Sequence, residues 1–471
     1  VFSSLALLSR PGRGAARAAV AALVSALTAA GVLAGAGPAA AEGVGQERGG
    51  ATATMGGLKT YGAAVIHGPD GDQRVSAGLF EMAVEGGGTL QTYCVDVQTS
   101  VQKDAKYHET PWGGTSLGTN KDAGRIAWIL RNSYPQVDDL TELARRAGVP
   151  GGLTRQEAAA GTQVAIWRYS DHADVEAVGA RAERLADYLE KNARAQAEPG
   201  ASLTVEPRAV AGRPGEPIGP VTVRTGAGSA TVTPPADAAA NGVRIVDRKG
   251  RPVTSVASGT RVYFDVPEDA PPGTARLTVQ ASTTVPVGRA LASENRSQTQ
   301  VLAGSSESTV SATATAAWAA TGAVPALSAE ENCAEGGLDI TAVNKGDEPF
   351  SFTLLDTEYT IAPGERRTVA LPLPEDRAYD FTINGPNGYA QRFAGVLDCR
   401  TQAGTAADIR TQTAAGPPLA PVNVPAPSAG PDLASTGGSS LTPVIGVLAL
   451  TLIALGGATL LVIRRRETHQ D

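Results

Sequence analysis

The sequence predicts a multidomain chain: an α+β module, two β-sandwich modules, a disordered linker and a C-terminal transmembrane helix. Three observations carry that reading. The chain has 471 residues, more than one hydrophobic core ordinarily serves. Its 55 Gly and 31 Pro, with aromatic residues at only 4%, favour modest cores divided by turns and linkers. Strand and helix periodicities mix before residue 200, and strand periodicity dominates from there to residue 400.

Charge and composition exclude several functions. With 47 acidic against 40 basic residues, a net charge of -7 and no basic tract, nucleic acid is not an expected partner. Three Cys and 4 His rule out a four-cysteine zinc site and leave little capacity for any metal, so no cofactor is expected.

In chain order, Arg10, Arg13 and Arg17 precede the apolar stretch 18–36, and Ala39-Ala40-Ala41 supplies small residues at a cleavage point. Residues 1–41 therefore read as a signal peptide, and the protein as exported. In the module 51–198, residues 90–97 alternate as a strand with Tyr93, Val95 and Val97 on one face and Cys94 and Asp96 on the other. A helix opens at Thr154, where Glu157 completes a capping box. Ala158, Ala159, Thr162, Ala165, Ile166 and Tyr169 form its apolar stripe, and Gln163 and Trp167, four apart, are neighbours on its surface.

Residues 201–320 carry short strands, among them Val221-Thr222-Val223 and Arg261-Val262-Tyr263-Phe264-Asp265-Val266, at the spacing of an immunoglobulin-like sandwich. Lys249, the only lysine of that module, sits in a hydrophilic turn and is poorly placed for an internal isopeptide crosslink. Residues 328–400 alternate again around the turns Asn344-Lys345-Gly346 and Pro363-Gly364, as a small sandwich closed by a Cys333–Cys399 disulfide. The Pro/Ala-rich stretch 401–432 is a linker.

Residues 443–463 bear no charge and are long enough to cross a bilayer, and Arg464, Arg465 and Arg466 mark the cytoplasmic side. Upstream stands Leu433-Ala434-Ser435-Thr436-Gly437. This order of pentapeptide, span and basic tail resembles the LPxTG-type sorting signal of Gram-positive surface proteins, in the LAxTG form of high-GC actinobacteria. The resemblance implies that 433–471 is a sorting signal, cut by a sortase between Thr436 and Gly437. The Thr436 carbonyl would pass to a peptidoglycan amine, leaving the protein on the cell wall and in the membrane only before sorting. Ala434 departs from the commoner proline and leaves the sortase class open.

With Cys333 and Cys399 paired, Cys94 is left over in an exported protein, which calls for a special thiol chemistry or an intermolecular partner. Tyr93-Cys94-Val95-Asp96 and Thr162-Gln163-Val164-Ala165-Ile166-Trp167 resemble the two motifs of bacterial thioester domains, the second being the TQxA signature. The stretch Arg125-Ile126-Ala127-Trp128-Ile129-Leu130-Arg131-Asn132-Ser133-Tyr134-Pro135 resembles the helix between them. The resemblance covers 51–198 and implies an internal Cys94–Gln163 thioester, formed with loss of ammonia and opened by an amine. It implies a single-use covalent binder rather than an enzyme, with Tyr93, Asp96, Thr162 and Trp167 around the bond. Its expected role is adhesion to an amine-bearing target, such as a lysine of a host or neighbouring-cell protein. Two alternatives stand beside it. His108 or His172 could serve Cys94 as the base of a cell-wall hydrolase or acyltransferase, or the protein could be an inert structural wall protein.

Overall fold

The computed structural model describes residues 44–45, 49–69, 71–236, 242–294, 297–375 and 377–400. The expected signal peptide, linker, sorting pentapeptide and membrane span all lie outside them. Among the described residues no helix is long and apolar enough to cross a membrane.

The first module is a closed antiparallel barrel carrying helices on its outside. Its strands are β1 (Thr52–Gly68), β2 (Gly71–Val84), β3 (Thr89–Cys94) and β4 (Lys106–Thr110), with β5 (Val175–Ala177) added on β1. Two further strands arrive from far along the chain: β6 (Ala290–Ser293) and β7 (Gln300–Ser305). The ring runs β1, β2, β3, β7, β6, β4 and back to β1, every neighbouring pair antiparallel. The pairing of β1 with β2 slips in register at Met55/Gly57 and Leu58/Thr60, local bulges that bend this long hairpin into the ring. Closure leaves no open sheet edge between β3 and β4.

Four helices complete the module: α1 (Ala123–Asn132), α2 (Leu140–Arg146), α3 (Arg155–Ser170) and α4 (Ala180–Asn192). Helix α3 has the capping box its sequence announces: Glu157 N–H donates to Thr154 Oγ1 at 3.2 Å, and Thr154 N–H to Glu157 Oε2 at 2.8 Å. It does not have a single apolar stripe. Every residue from Ala158 to Trp167 is buried, because the helix is wedged between the barrel and α4. Small residues make that wedge possible. A Cβ at Gly161 would lie 2.4 Å from the Ala182 carbonyl oxygen on α4, and one at Gly62 on β1 would lie 3.0 Å from Ala160 Cβ.

The second module has a five-stranded and a four-stranded sheet, whose inward Val, Leu and Phe residues, including Val221, Val262, Phe264 and Leu277, share one core. The expected boundaries 201–320 need correction. Gly273–Thr283 and Ser308–Trp318 pair along their whole length within the sandwich, but the chain between them leaves it and supplies β6 and β7 to the barrel. Barrel residues Ala53, Met55, Met82 and Leu90 also belong to the sandwich's apolar cluster. The two modules thus share a core, and the thioester-like module is not complete within 51–198.

The third module packs short antiparallel sheets around Ile340, Phe350, Phe352 and Phe393. Val44–Gly45 pairs in parallel with its Ala390–Val396 strand. Cys333 and Cys399 are joined at an S–S distance of 2.02 Å.

Candidate functional site

Strand β3 ends at Cys94, three residues before the expected limit of 97. The Asp96 carboxylate explains the stop: it accepts from the backbone N–H of Gln98 at 2.7 Å and of Thr99 at 3.3 Å, and from the Thr99 hydroxyl, turning the chain out of the sheet. Cys94 is therefore the last residue of a strand, facing a helix packed closely between the barrel and α4.

Helix α3 brings Gln163 to it. The Cys94 backbone N–H donates to Gln163 Oε1 at 3.0 Å, and Gln163 Nε2 donates to the Cys94 carbonyl at 2.9 Å. Both polar ends of the carboxamide are thus fixed on the residue that bears the thiol. Gln163 is fully buried and Cys94 is 3% exposed. Burial pushes the Cys94 thiol well above its ordinary range, partly offset by a hydrogen bond from Gln300.

The other expected residues divide by position. Thr162, beside Gln163, donates its hydroxyl to the Ala158 carbonyl at 2.7 Å, and its side chain also hydrogen-bonds that of Tyr93 across from the helix. Trp167, one turn on, is buried, and its indole N–H has no partner among the described residues. Tyr93 takes the opposite strand face from Cys94 by alternation, and its hydroxyl donates to the Tyr134 carbonyl at 2.8 Å.

The two histidines are engaged or exposed elsewhere. His108 sits on β4, across the ring from β3, with Nε2 on Glu294 and Nδ1 within 3.1 Å of Thr52 Oγ1. His172 is exposed just past α3, at φ 52°. Neither hydrogen-bonds the sulfur, whose one polar side-chain partner among the described residues is Gln300 Nε2, at 3.4 Å.

Two contributors escape a reading of the sequence. Gln300 lies on β7, where it pairs with Cys94 in register, and it is fully buried. Asp171, at the C-terminal end of α3, accepts from Val97 N–H at 3.3 Å and from the Ser170 hydroxyl at 2.6 Å. Asp171 is half-buried, with its carboxyl the enclosed end, and burial followed by the nearby Asp96 charge pushes it up to about 8. Among the described residues no three His, Cys, Asp or Glu converge as a metal site.

Chemically, the arrangement can join sulfur to an acyl carbon. The Cys94 N–H already points at Oε1, where negative charge would gather if the carboxamide carbon were attacked. Among the described residues no His, Asp or Glu hydrogen-bonds the sulfur.

Residues 91–195 match the family model described as thioester domain, and residues 314–396 match the model described as bacterial phospholipase C, C-terminal domain. The second match begins inside the last sandwich strand, Ser308–Trp318, and so crosses the expected boundary at 328. No curated protein matches. Among solved structures, the Bacillus anthracis TIE protein is 18% identical with a TM-score of 0.26, over 74% of this chain and 64% of that one. The chain thus spans just under two thirds of that protein. The thioester domain of the Enterococcus faecium TIE86 protein is 18% identical with a TM-score of 0.26, over 59% of this chain and 98% of that one. The E. coli chaperone DraB is 13% identical with a TM-score of 0.15, over 42% of this chain and 98% of that one. The chain carries a thioester domain, followed by β-rich modules.

Proposed function

We propose that this protein is an exported surface adhesin that attaches covalently to amine-bearing targets through an internal thioester between Cys94 and Gln163. The observation that supports the reading most directly is the paired hydrogen bond between the Gln163 carboxamide and the Cys94 backbone, inside a match to the thioester domain family.

In the forming step, Cys94 Sγ attacks Gln163 Cδ, charge gathers on Oε1 beside the Cys94 N–H, and the bond from Cδ to Nε2 breaks. The thiol proton leaves on ammonia, so atoms and charge balance. Holding thiol and amide on a strand end and a closely packed helix makes the encounter intramolecular, which is worth several powers of ten in rate. In the opening step an amine nitrogen, such as that of a lysine, bonds to Cδ and the sulfur departs. An amide remains on Gln163 and a thiol on Cys94, so the protein acts once and is not a turnover enzyme. Burial of both residues limits competition from water.

The sorting reading completes the proposal. Leu433, Ala434, Ser435, Thr436 and Gly437 would hand the chain to a sortase, which fixes it to peptidoglycan with the thioester module outermost. An exported location fits the Cys333–Cys399 disulfide, since such bonds persist outside the cytoplasm.

Intact mass of a purified chain that includes β6 and β7 tests the thioester, together with uptake of methylamine. A deficit of one ammonia, lost on Cys94→Ala or Gln163→Ala, supports it. Full mass with repeated turnover of a wall substrate would favour a cysteine hydrolase, and full mass with no reactivity an inert wall protein.

A further inference from the structure

Cys94 faces two carboxamides, and only one of them is accounted for by the thioester. The second belongs to Gln300, more than two hundred residues along the chain, on the strand that enters the barrel from within the second module. Register places Gln300 directly opposite Cys94 and Leu302 opposite Thr92, so Thr92, Cys94 and Gln300 share one sheet face. The Thr92 hydroxyl donates to Gln300 Oε1 at 3.0 Å, which turns Nε2 toward the sulfur at 3.4 Å. Gln300 is fully buried, and a buried amide is kept where its hydrogen bonds are made.

We propose that Gln300 is a further catalytic residue of the thioester chemistry, donating its side-chain N–H to the Cys94 sulfur as that sulfur acquires negative charge. The assignment rests on the thioester reading above. Two steps put charge on the sulfur. In formation, the thiol must give up its proton in a buried place that penalises the thiolate. In opening, the amine nitrogen bonds to Gln163 Cδ, the Cδ–Sγ bond breaks with its electron pair going to sulfur, and the proton shed by the amine ends on that sulfur. A donor aimed at the sulfur lowers the barrier of both steps, because hydrogen bonds to ionised groups are about twice as strong as neutral ones. The acylated sulfur carries no proton, so only the N–H side of Gln300 is compatible with it. Thr92 acts as the positioning residue that holds that side inward.

Gln300→Met keeps the side chain's length and removes the donor. In the full chain we expect methylamine uptake to slow about tenfold or more, with Thr92→Val slowing it less and in the same direction. A second pair of variants isolates the contact from the thioester. In a Gln163→Ala background, where no thioester can form, adding Gln300→Met should slow iodoacetamide alkylation of Cys94 about tenfold near pH 8, because the thiolate fraction falls. Near-UV circular dichroism checks that each variant is folded. Uptake and alkylation both within twofold of their parents would overturn the assignment. A wild-type chain of full mass would instead sink the thioester reading and the catalytic role with it. The alkylation pair would then still show whether Gln300 engages the sulfur, so the two failures are distinguishable.

Discussion

Gly161 lies two residues before Gln163, where α3 presses on α4, and Gly161→Ala probes how tightly the site depends on that contact. The new Cβ would sit 2.4 Å from the Ala182 carbonyl oxygen and 3.1 Å from Leu185 Cβ, whereas ordinary contact begins near 3.4 Å. About 1 Å of separation is therefore needed, and the obstacle is backbone rather than a flexible side chain. Alanine gains about 1 kcal/mol of helix propensity over glycine, and overpacking of this kind costs about 1–3 kcal/mol. The net is a loss of up to about 2 kcal/mol, a fall in Tm of roughly 2–4 °C for each kcal/mol. The chemical effect should be larger. Moving α3 by about 1 Å carries Gln163 off Cys94, and a misplacement of that size costs on the order of a hundredfold in rate. Thermal unfolding and the time course of ammonia loss in freshly refolded protein measure the two effects. A raised Tm with undiminished thioester formation would show that the helices have slack, and the argument from close packing would fail.

Other perturbations bear on separate parts of the account. Trp167→Ala should cost about 3–5 kcal/mol in denaturant unfolding and speed hydrolysis of the thioester. Trp167→Phe should cost less than Trp167→Ala, through the smaller cavity alone, since the indole N–H it removes has no partner among the described residues; a cost equal to that of alanine would mean that N–H is engaged. For Asp171, pushed up to about 8 from 3.8, the folded protein holds the proton that the unfolded chain releases. Its contribution to stability is thus complete below about pH 4 and declines as pH rises through 8, by at most about 1.4 kcal/mol per pH unit. Asp171→Asn should flatten the fall in denaturation midpoint between pH 5 and about 8, and an unchanged slope would remove Asp171 from the explanation. The Cys333–Cys399 bond closes a loop of 66 residues, so its reduction should destabilise the third module by about 4 kcal/mol in the chain-entropy picture. A midpoint unmoved by reductant would contradict that.

What the sequence discloses and what it hides divide by distance along the chain. The α3 start is legible because Thr154 and Glu157 are three residues apart and their reciprocal bonds are local. The pairing of Cys94 with Gln163 is legible only because both lie in recognisable motifs; periodicity alone says nothing of their contact. Gln300 is illegible, because its role comes from a register set by barrel closure across 206 residues. The same closure hides the true extent of the first module. The single-stripe reading of α3 falls short for a related reason, since alanine and glycine at 158–161 serve two packing faces at once and periodicity assumes one. Asp171 stands in plain view after the motif, yet its role depends on the fold bringing it to Val97 and Asp96.

Intact-mass spectrometry of the purified full chain under denaturing, non-reducing conditions tests whether the Cys94–Gln163 bond exists. We expect a mass one ammonia short of the disulfide-bonded sequence, restored by Cys94→Ala, with Gln163 acquiring one methylamine on exposure to that amine. A chain at full mass, with Cys94 titrating as a free thiol and Gln163 unmodified by methylamine, would contradict it.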